Sequence, residues 1–229
     1  MKIRNAGPDD LPAVVKVILA AINKERLWTN FVPKKGAQDA AYLHEIEKLL
    51  KEHLDPKNKD WVISVVDLAD SANSPPRIAA VAVWDMSAAD DDKETNRKNV
   101  KTTITDDRLE AYTSVVLAAR EAIFDKKYSS HRYLQLLAVH PDHQGQGHGK
   151  HLVQKAILNA KTTGGVLTTI GGPHGYIFFS GLGFHDLGPI TLPESSATDA
   201  RDIKALGMVI KKEERRASLV DSLLNYISG

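Results

Sequence analysis

The residues best suited to chemistry lie between 140 and 151. Glycine occupies every second position of Gln144-Gly145-Gln146-Gly147-His148-Gly149 from 145 on, and Lys150 follows directly. Four histidines, His140, His143, His148 and His151, are interleaved with them. Glycine keeps side chains out of the way and admits backbone conformations closed to other residues. Upstream, Tyr133 to Val139 is an apolar run that reads as a buried strand, followed by Pro141. Downstream, Leu152, Val153, Ala156, Ile157 and Ala160 recur at helical spacing. The stretch is therefore strand, glycine-rich turn, helix. The first amides of such a helix have no intrahelical acceptor, and its dipole adds partial positive charge there. A phosphate approaching the turn meets unpaired N–H groups and no side chain in its path.

Two familiar phosphate patterns fail. A dinucleotide fingerprint beginning at Gly145 needs glycine where Lys150 stands, and a P-loop ending at Lys150 needs glycine at 144 and Ser or Thr at 151, where the chain has Gln144 and His151. A third pattern, [Q/R]-x-x-G-x-[G/A], is met by Gln144, Gly147 and Gly149, with the strand and Pro141 in register ahead of it. This stretch resembles the acetyl-CoA-binding core of the GCN5-related N-acetyltransferases (GNAT). A second segment, Phe179-Ser180-Gly181-Leu182-Gly183-Phe184, resembles the family's other signature, an aromatic followed four residues later by Gly-Phe. The resemblance is specific over about 133 to 184 and topological before that.

The resemblance implies acetyl-CoA as co-substrate and a primary amine, of a small molecule or a peptide, that attacks the thioester directly. It implies that Gln144, Gly145, Gln146, Gly147, His148, Gly149 and Lys150 hold the pyrophosphate, chiefly through backbone amides. It implies that Leu137, Ala138 and Val139, at a splayed strand end, bond the pantetheine. The Val139 amide is then the oxyanion donor. Two departures bear on proton transfer. The family's usual tyrosine is Phe179, and its common asparagine is Gly172. Some members carry a glutamate base on the cofactor strand, where this chain offers Tyr133 and Gln135. A lysine amine near pKa ~10.4 or an α-amine near ~8 needs a base or a water chain at neutral pH. A thiolate of pKa ~8.5 leaves with water as donor, so losing the tyrosine slows turnover without abolishing it. Tyr176 is a substitute acid, with a packed aromatic as its ordinary role, and His140 is a candidate base on the acceptor side. A catalytically weak acyl-CoA-binding protein is the alternative on the same scaffold. A longer acyl group is a variant of the enzyme reading.

The clustered histidines invite a metal reading, but they straddle a strand end, a turn and a helix without ligand spacing, so no metal is expected. His148 and His151 fit better as weak cationic partners of phosphate, and Lys150 as a charge for the nucleotide.

The elements that must position this site read as one α/β domain over 1–229, a mixed, mostly antiparallel sheet flanked by helices. Residues 2 to 5 form a first strand. Gly7-Pro8-Asp9-Asp10 opens a helix carrying Leu11, Val14, Val15, Val17, Ile18 and Ile22. Residues 27 to 36 are an aromatic-anchored surface loop or, as the resemblance implies, a lining of the acceptor pocket, and 37 to 53 a helix. Trp61 to Val66 and Arg77 to Trp84 form an antiparallel pair. A densely charged insertion occupies about 87–106, and a helix runs from 107 to 127. Strands at 166–170, 184–187 and 207–211 follow, then a C-terminal helix at about 213–227 that buries an apolar face or offers it to a partner. The apolar content of 42% suffices for a core, and the net charge of +1 gives no reason to expect nucleic acid or a membrane surface. The absence of cysteine excludes disulfides and thiol catalysis. Met1-Lys2-Ile3-Arg4 leads straight into polar residues and no apolar run is long enough to span a bilayer, so the expected location is the cytosol, or cytosol and nucleus.

Overall fold

The computed structural model describes residues 1–22, 40–71, 74–87, 114, 116–128, 130–190 and 204–210. The 27–36 loop, nearly all of the charged insertion and the C-terminal helix lie outside these residues.

In chain order, β1 (Lys2–Asn5) leads through a 3-10 turn (Pro8–Asp10) into α1 (Leu11–Ile22), and α2 (Ala40–His53) follows. Then come β2 (Trp61–Asp67), β3 (Ile78–Asp85) and a π-helical turn (Glu121–Asp125) that closes the inserted helix. The site segment supplies β4 (Arg132–Val139), a 3-10 turn (Pro141–His143), α3 (His148–Thr163), β5 (Gly165–Gly171) and α4 (Pro173–Ser180). The described chain ends with β6 (His185–Pro189) and β7 (Lys204–Ile210). The last strand begins three residues before the position expected from sequence.

The strands form one sheet in the order β1-β2-β3-β4-β5-β7-β6. All pairings are antiparallel except β4 with β5. A mixed, mostly antiparallel sheet flanked by helices is the architecture expected from sequence. The β4–α3–β5 crossover gives the parallel pair, because a helix must carry the chain back to start a parallel strand.

Apolar residues of α1 and α2 cover one face, packing Val14, Val17, Ile18 and Leu50 on Val65, Val81, Val83 and Ala138. On the other face, Leu152, Val153 and Ala160 of α3 pack with Phe179 and Phe184 on Ala80, Ala82, Trp84 and Leu134. Covered on both sides, β3 is buried along its whole length. That is why its sequence is a continuous apolar run rather than an alternation. Polar ties fix the helices to the edge. Arg4 donates to both carboxylate oxygens of Asp10, at 2.6 and 2.7 Å, and to Asp67 at 2.8 Å. Asp10 also accepts from the Gly7 amide at 2.9 Å, capping the entry to α1. From the opposite layer, Lys155 of α3 donates to the Ile3 carbonyl at 2.9 Å.

A candidate cofactor cleft at the splay of β4 and β5

Strand β4 changes character halfway along. It pairs with β5 only at Arg132, Tyr133 and Leu134, opposite Leu167, Thr168 and Thr169. It pairs with β3 along its length, but the register slips between Val83, opposite Leu136, and Trp84, opposite Leu134. Gln135 is thus the extra residue of a β-bulge. The bulge reverses which face the later residues present. Leu134 packs on the α3 side; beyond the bulge, Leu136 and Ala138 face α1, and Leu137 and Val139 face α3.

The end of β4 parts from β5 and opens a gap. The His140 amide donates to the Ala79 carbonyl at 2.9 Å. In an antiparallel ladder, bonded and non-bonded pairs alternate. Ala138 therefore points its amide and carbonyl toward β3, and Leu137 and Val139 point theirs into the gap. The Val139 carbonyl accepts from Gln144 Nε2 at 3.2 Å, so the first residue of the glycine-rich turn is tied to the strand end.

The turn takes its shape from three glycines. Gly145 (φ 75°) and Gly147 (φ 81°) are left-handed. Gly149 has an ordinary backbone, but a Cβ there would lie 3.3 Å from Val139 Cγ2 and 3.6 Å from Leu137 Cδ2. It lets α3 approach the strand closely. The first amide to find an acceptor in the helical ladder is His151, on the Gly147 carbonyl at 3.0 Å. The amides of His148, Gly149 and Lys150 precede that ladder, at the positive end of the dipole.

A cleft of about 540 Å³ joins turn and splay. Of the residues expected to hold the cofactor, Leu137, Ala138, Val139, Gln144, Gly145, Gly147, His148, Gly149 and Lys150 line it. Gln146 does not; its side chain donates to the Asp142 carbonyl at 3.3 Å and its Oε1 lies 3.2 Å from His148 Nε2. The cleft continues through the sheet to Leu136, Ala21 and Ile22 on the α1 side. His148 is buried, and burial, with nearby His143 and His151, holds its imidazole below the usual range.

The expected proton carriers are not brought together. Tyr176 is half-buried against the α3-side core and is not among the lining residues, whereas His174, Gly175, Phe178 and Phe179 of the same helix are. His140 caps the 3-10 turn, its Nδ1 accepting from the Asp142 amide at 3.3 Å, also off the cleft. Phe179 is 5% exposed, with its ring 5.3 Å from Phe184 and 5.0 Å from Phe178. Gln135 is exposed at the bulge. Sequence reasoning missed His174, Phe178, Ala21 and Ile22. His174 had a signal: it follows Gly171-Gly172-Pro173, a strand end passing into a helix beside the cofactor strand. The end of α1 had none, because its approach to β4 is a long-range contact.

Residues 109–186 match the family model described as the acetyltransferase (GNAT) domain. That stretch contains β4, the turn, α3, β5 and α4. Solved structures share the fold over nearly the whole chain. A structure described as histone acetyltransferase HPA2 and related acetyltransferase from Corynebacterium glutamicum is 18% identical at a TM-score of 0.58, covering 93% of this chain and 98% of its own. Polyamine N-acetyltransferase from Drosophila melanogaster is 14% identical at 0.61, covering 91% and 99%. A mosquito arylalkylamine N-acetyltransferase-like protein, 5b, is 15% identical at 0.58, also covering 91% and 99%. No curated protein matches the chain in sequence. Domain match and fold agree: residues 109–186 match the GNAT domain, and the chain shares the fold of these acetyltransferase structures.

Among the described residues no group of three or more His, Asp or Glu is placed to share a metal ion. None of the helices described there is long and apolar enough to cross a membrane.

Proposed function

We propose that this chain transfers an acetyl group from acetyl-CoA to a primary amine by direct attack within a ternary complex. The observation that carries the reading is the continuity of the cleft from the turn amides to the Leu137 and Val139 amides in the splay. A diphosphate fits the turn and a pantetheine chain fits the strand edge. The Val139 N–H is then the group that polarises the thioester carbonyl and holds the oxyanion, a role worth about 10²- to 10³-fold in rate. These are backbone functions, so Phe179 and Gly172 leave them intact.

Proton transfer is the slower part. Phe179 has no proton to give and Gln135 cannot accept one. The titratable residues along the described cleft are His143, His148, Lys150 and His174, with no carboxylate among them. The thiolate leaves with water as donor, and the amine loses its proton to water or an imidazole. A slow enzyme, or one whose acceptor has a low amine pKa, follows from this. The acceptor class is a small primary amine, in keeping with polyamine and arylalkylamine acetyltransferases among the structural neighbours.

Calorimetric titration with acetyl-CoA tests the cradle. The wild type is expected to bind near ~1 μM, and Gly147→Asp, which sets a carboxylate in the turn, to lose more than about 100-fold. If neither protein binds, the cradle reading fails. An amine panel follows, scored by CoA release. Binding without acceptor-dependent release selects the second reading, a weakly catalytic acyl-CoA-binding protein, which the burial of Phe179 in the core favours.

A further inference from the structure

Helix α4 brings one proton-carrying side chain to the cleft from the side opposite the glycine-rich turn. Strand β5 pairs with β4 only as far as Thr169, opposite Leu134, and ends two residues later at Gly171. The chain then turns through Gly172 and Pro173 into α4. The helix therefore starts where the gap between the two strands opens. Its first turn lies on the strand end: a Cβ at Gly171 would stand 3.3 Å from the Gly175 carbonyl carbon. Its second turn reaches across the gap. A Cβ at Gly149 would lie 3.8 Å from Phe178 Cζ and 3.6 Å from Leu137 Cδ2. His174 and Phe178 are four residues apart, so they share a helix face. Both line the cleft, together with Gly175 and Phe179. His174 is exposed, whereas Phe179 is buried in the core.

The other titratable groups of the described cleft sit elsewhere. His143, His148 and Lys150 belong to the turn and the start of α3, beyond Val139 in the chain. Neither nitrogen of His148 is open to the cleft, since Nε2 lies 3.2 Å from Gln146 Oε1 and Nδ1 is buried. The lining residues from β4 and from α1 are apolar. Continuing the β4–β5 ladder would set Gly171 opposite Leu136, three residues short of Val139. The start of α4 is thus within about 10 Å, measured along the strand, of the Val139 amide. His174 is the cleft imidazole on the side of the splay, where a thioester held by that amide would be attacked.

We propose that the His174 imidazole is the base of the acetyl transfer, taking the proton that the acceptor nitrogen sheds. The amine arrives neutral, and its lone pair forms the C–N bond. The nitrogen of the adduct is cationic and passes one proton to the imidazole. The C–S bond breaks, its electron pair leaves with sulfur, and the thiolate takes a proton from water. The imidazolium returns its proton to solvent, which an exposed ring meets directly. Amine and thioester become amide and thiol with no other reactant. Imidazoles change charge between about pH 5 and 8, so such a ring accepts and releases protons near neutrality. The inference rests on the acetyl-transfer reading and gives its base a place, on the helix where Phe179 has no proton to exchange.

The test is steady-state transfer from acetyl-CoA to an amine panel headed by 2-phenylethylamine and agmatine, followed as CoA release across about pH 5 to 9. His174→Gln is expected to bind acetyl-CoA in calorimetry as the wild type does, and to lose about 100-fold in kcat, the low end for general base catalysis. The acid-side bend in the wild-type kcat profile should disappear with it. Added imidazole should restore part of the rate to His174→Ala and leave the wild type unchanged. A histidine with a merely structural role would move neither the bend nor the rescue. Unchanged kcat and profile in His174→Gln overturn the proposal, as does a loss of rate that leaves the acid-side bend in place. Acetyl-CoA binding by wild type with no CoA release to any amine fails the transfer reading, and the base falls with it. No binding by wild type fails the cradle itself, a different result.

Discussion

The two halves of β4 use the same backbone for opposite ends. At its start, Tyr133 and Leu134 pair with strands on both sides, and several side chains nearby are tied within the protein. Thr169 Oγ1 donates to the Leu134 carbonyl at 3.0 Å. Next to it, Arg120 of the inserted helix reaches Asp85 of β3 at 2.7 Å and lies 4.4 Å from the centre of the Tyr133 ring. Both partners of the pair are under 10% exposed. At the other end, Leu137 and Val139 turn their amides into a cleft, and the following turn leaves three more ahead of the helical ladder. Between them sits the bulge at Gln135. One half is paired on both sides and holds the sheet together; the other turns its donors into the cleft. Changes in the first half should therefore act on stability, and changes in the second on binding.

The strongest way to break this division is Arg120→Met. It leaves Asp85 buried beside the Ser87 amide without its counter-ion. Burial pushes the Asp85 carboxyl up, but Arg120 and the hydrogen bonds from Ser87 outweigh it and hold it below the usual range. Removing one partner of a buried pair costs about 3–5 kcal/mol. Chemical unfolding should show that loss, while the folded fraction keeps its acetyl-CoA affinity. A large change in affinity at unchanged stability would mean that the two halves are coupled.

A smaller effect sharpens the other side. Gly149→Ala places a methyl 3.3 Å from Val139 Cγ2, so α3 or the strand must give slightly. Alanine's better helix propensity, up to about 1 kcal/mol, offsets the crowding in stability. Affinity for acetyl-CoA should fall about tenfold, or ~1.4 kcal/mol, with the melting temperature nearly unchanged. Unaltered affinity would show that the close approach of helix and strand does not shape the cradle.

The smallest effect concerns the structural region and pH. His53, at the end of α2, packs edge-on to Trp61 with ring centroids 3.8 Å apart. Burial pushes its imidazole down to about 4, although Asp85 pulls the other way. The unfolded chain, near ~6.5, therefore binds more protons than the folded one below neutrality. Stability from this site is fully present above ~6.5 and is lost as pH falls toward 4. His53→Leu should flatten that part of the stability–pH curve. An unchanged slope would assign the acid sensitivity to other groups.

Much of the cleft side was legible because it is local. Alternating glycines can only be a turn with positive φ or close approach, and an apolar run before them and a helical period after them set its direction. The β2–β3 pairing and the β1–α1 entry were readable for the same reason. The bulge at Gln135 was not, since no residue type there demands one; it arises from fitting β4 to β3 while its end leaves β5. Nor was the fate of Phe179, whose number matched a family pattern but whose ring is taken by the core. Tyr176 and His140 were reasonable by residue type. Helix phase turns the first away from the cleft, and the 3-10 turn after β4 engages the second.

By itself the sequence determined the strand, turn and helix of the proposed phosphate cradle, because neighbouring residues decide backbone conformation there through sterics and hydrogen bonding. It also determined the kind of fold, since periodicity and the order of elements leave few ways to cover a sheet. Only the tertiary structure decided which amides of β4 face the cleft, which helix residues reach it, and that Arg120 meets Asp85. Each depends on strand register or on packing between distant segments, where a shift of one residue reverses the face a side chain presents.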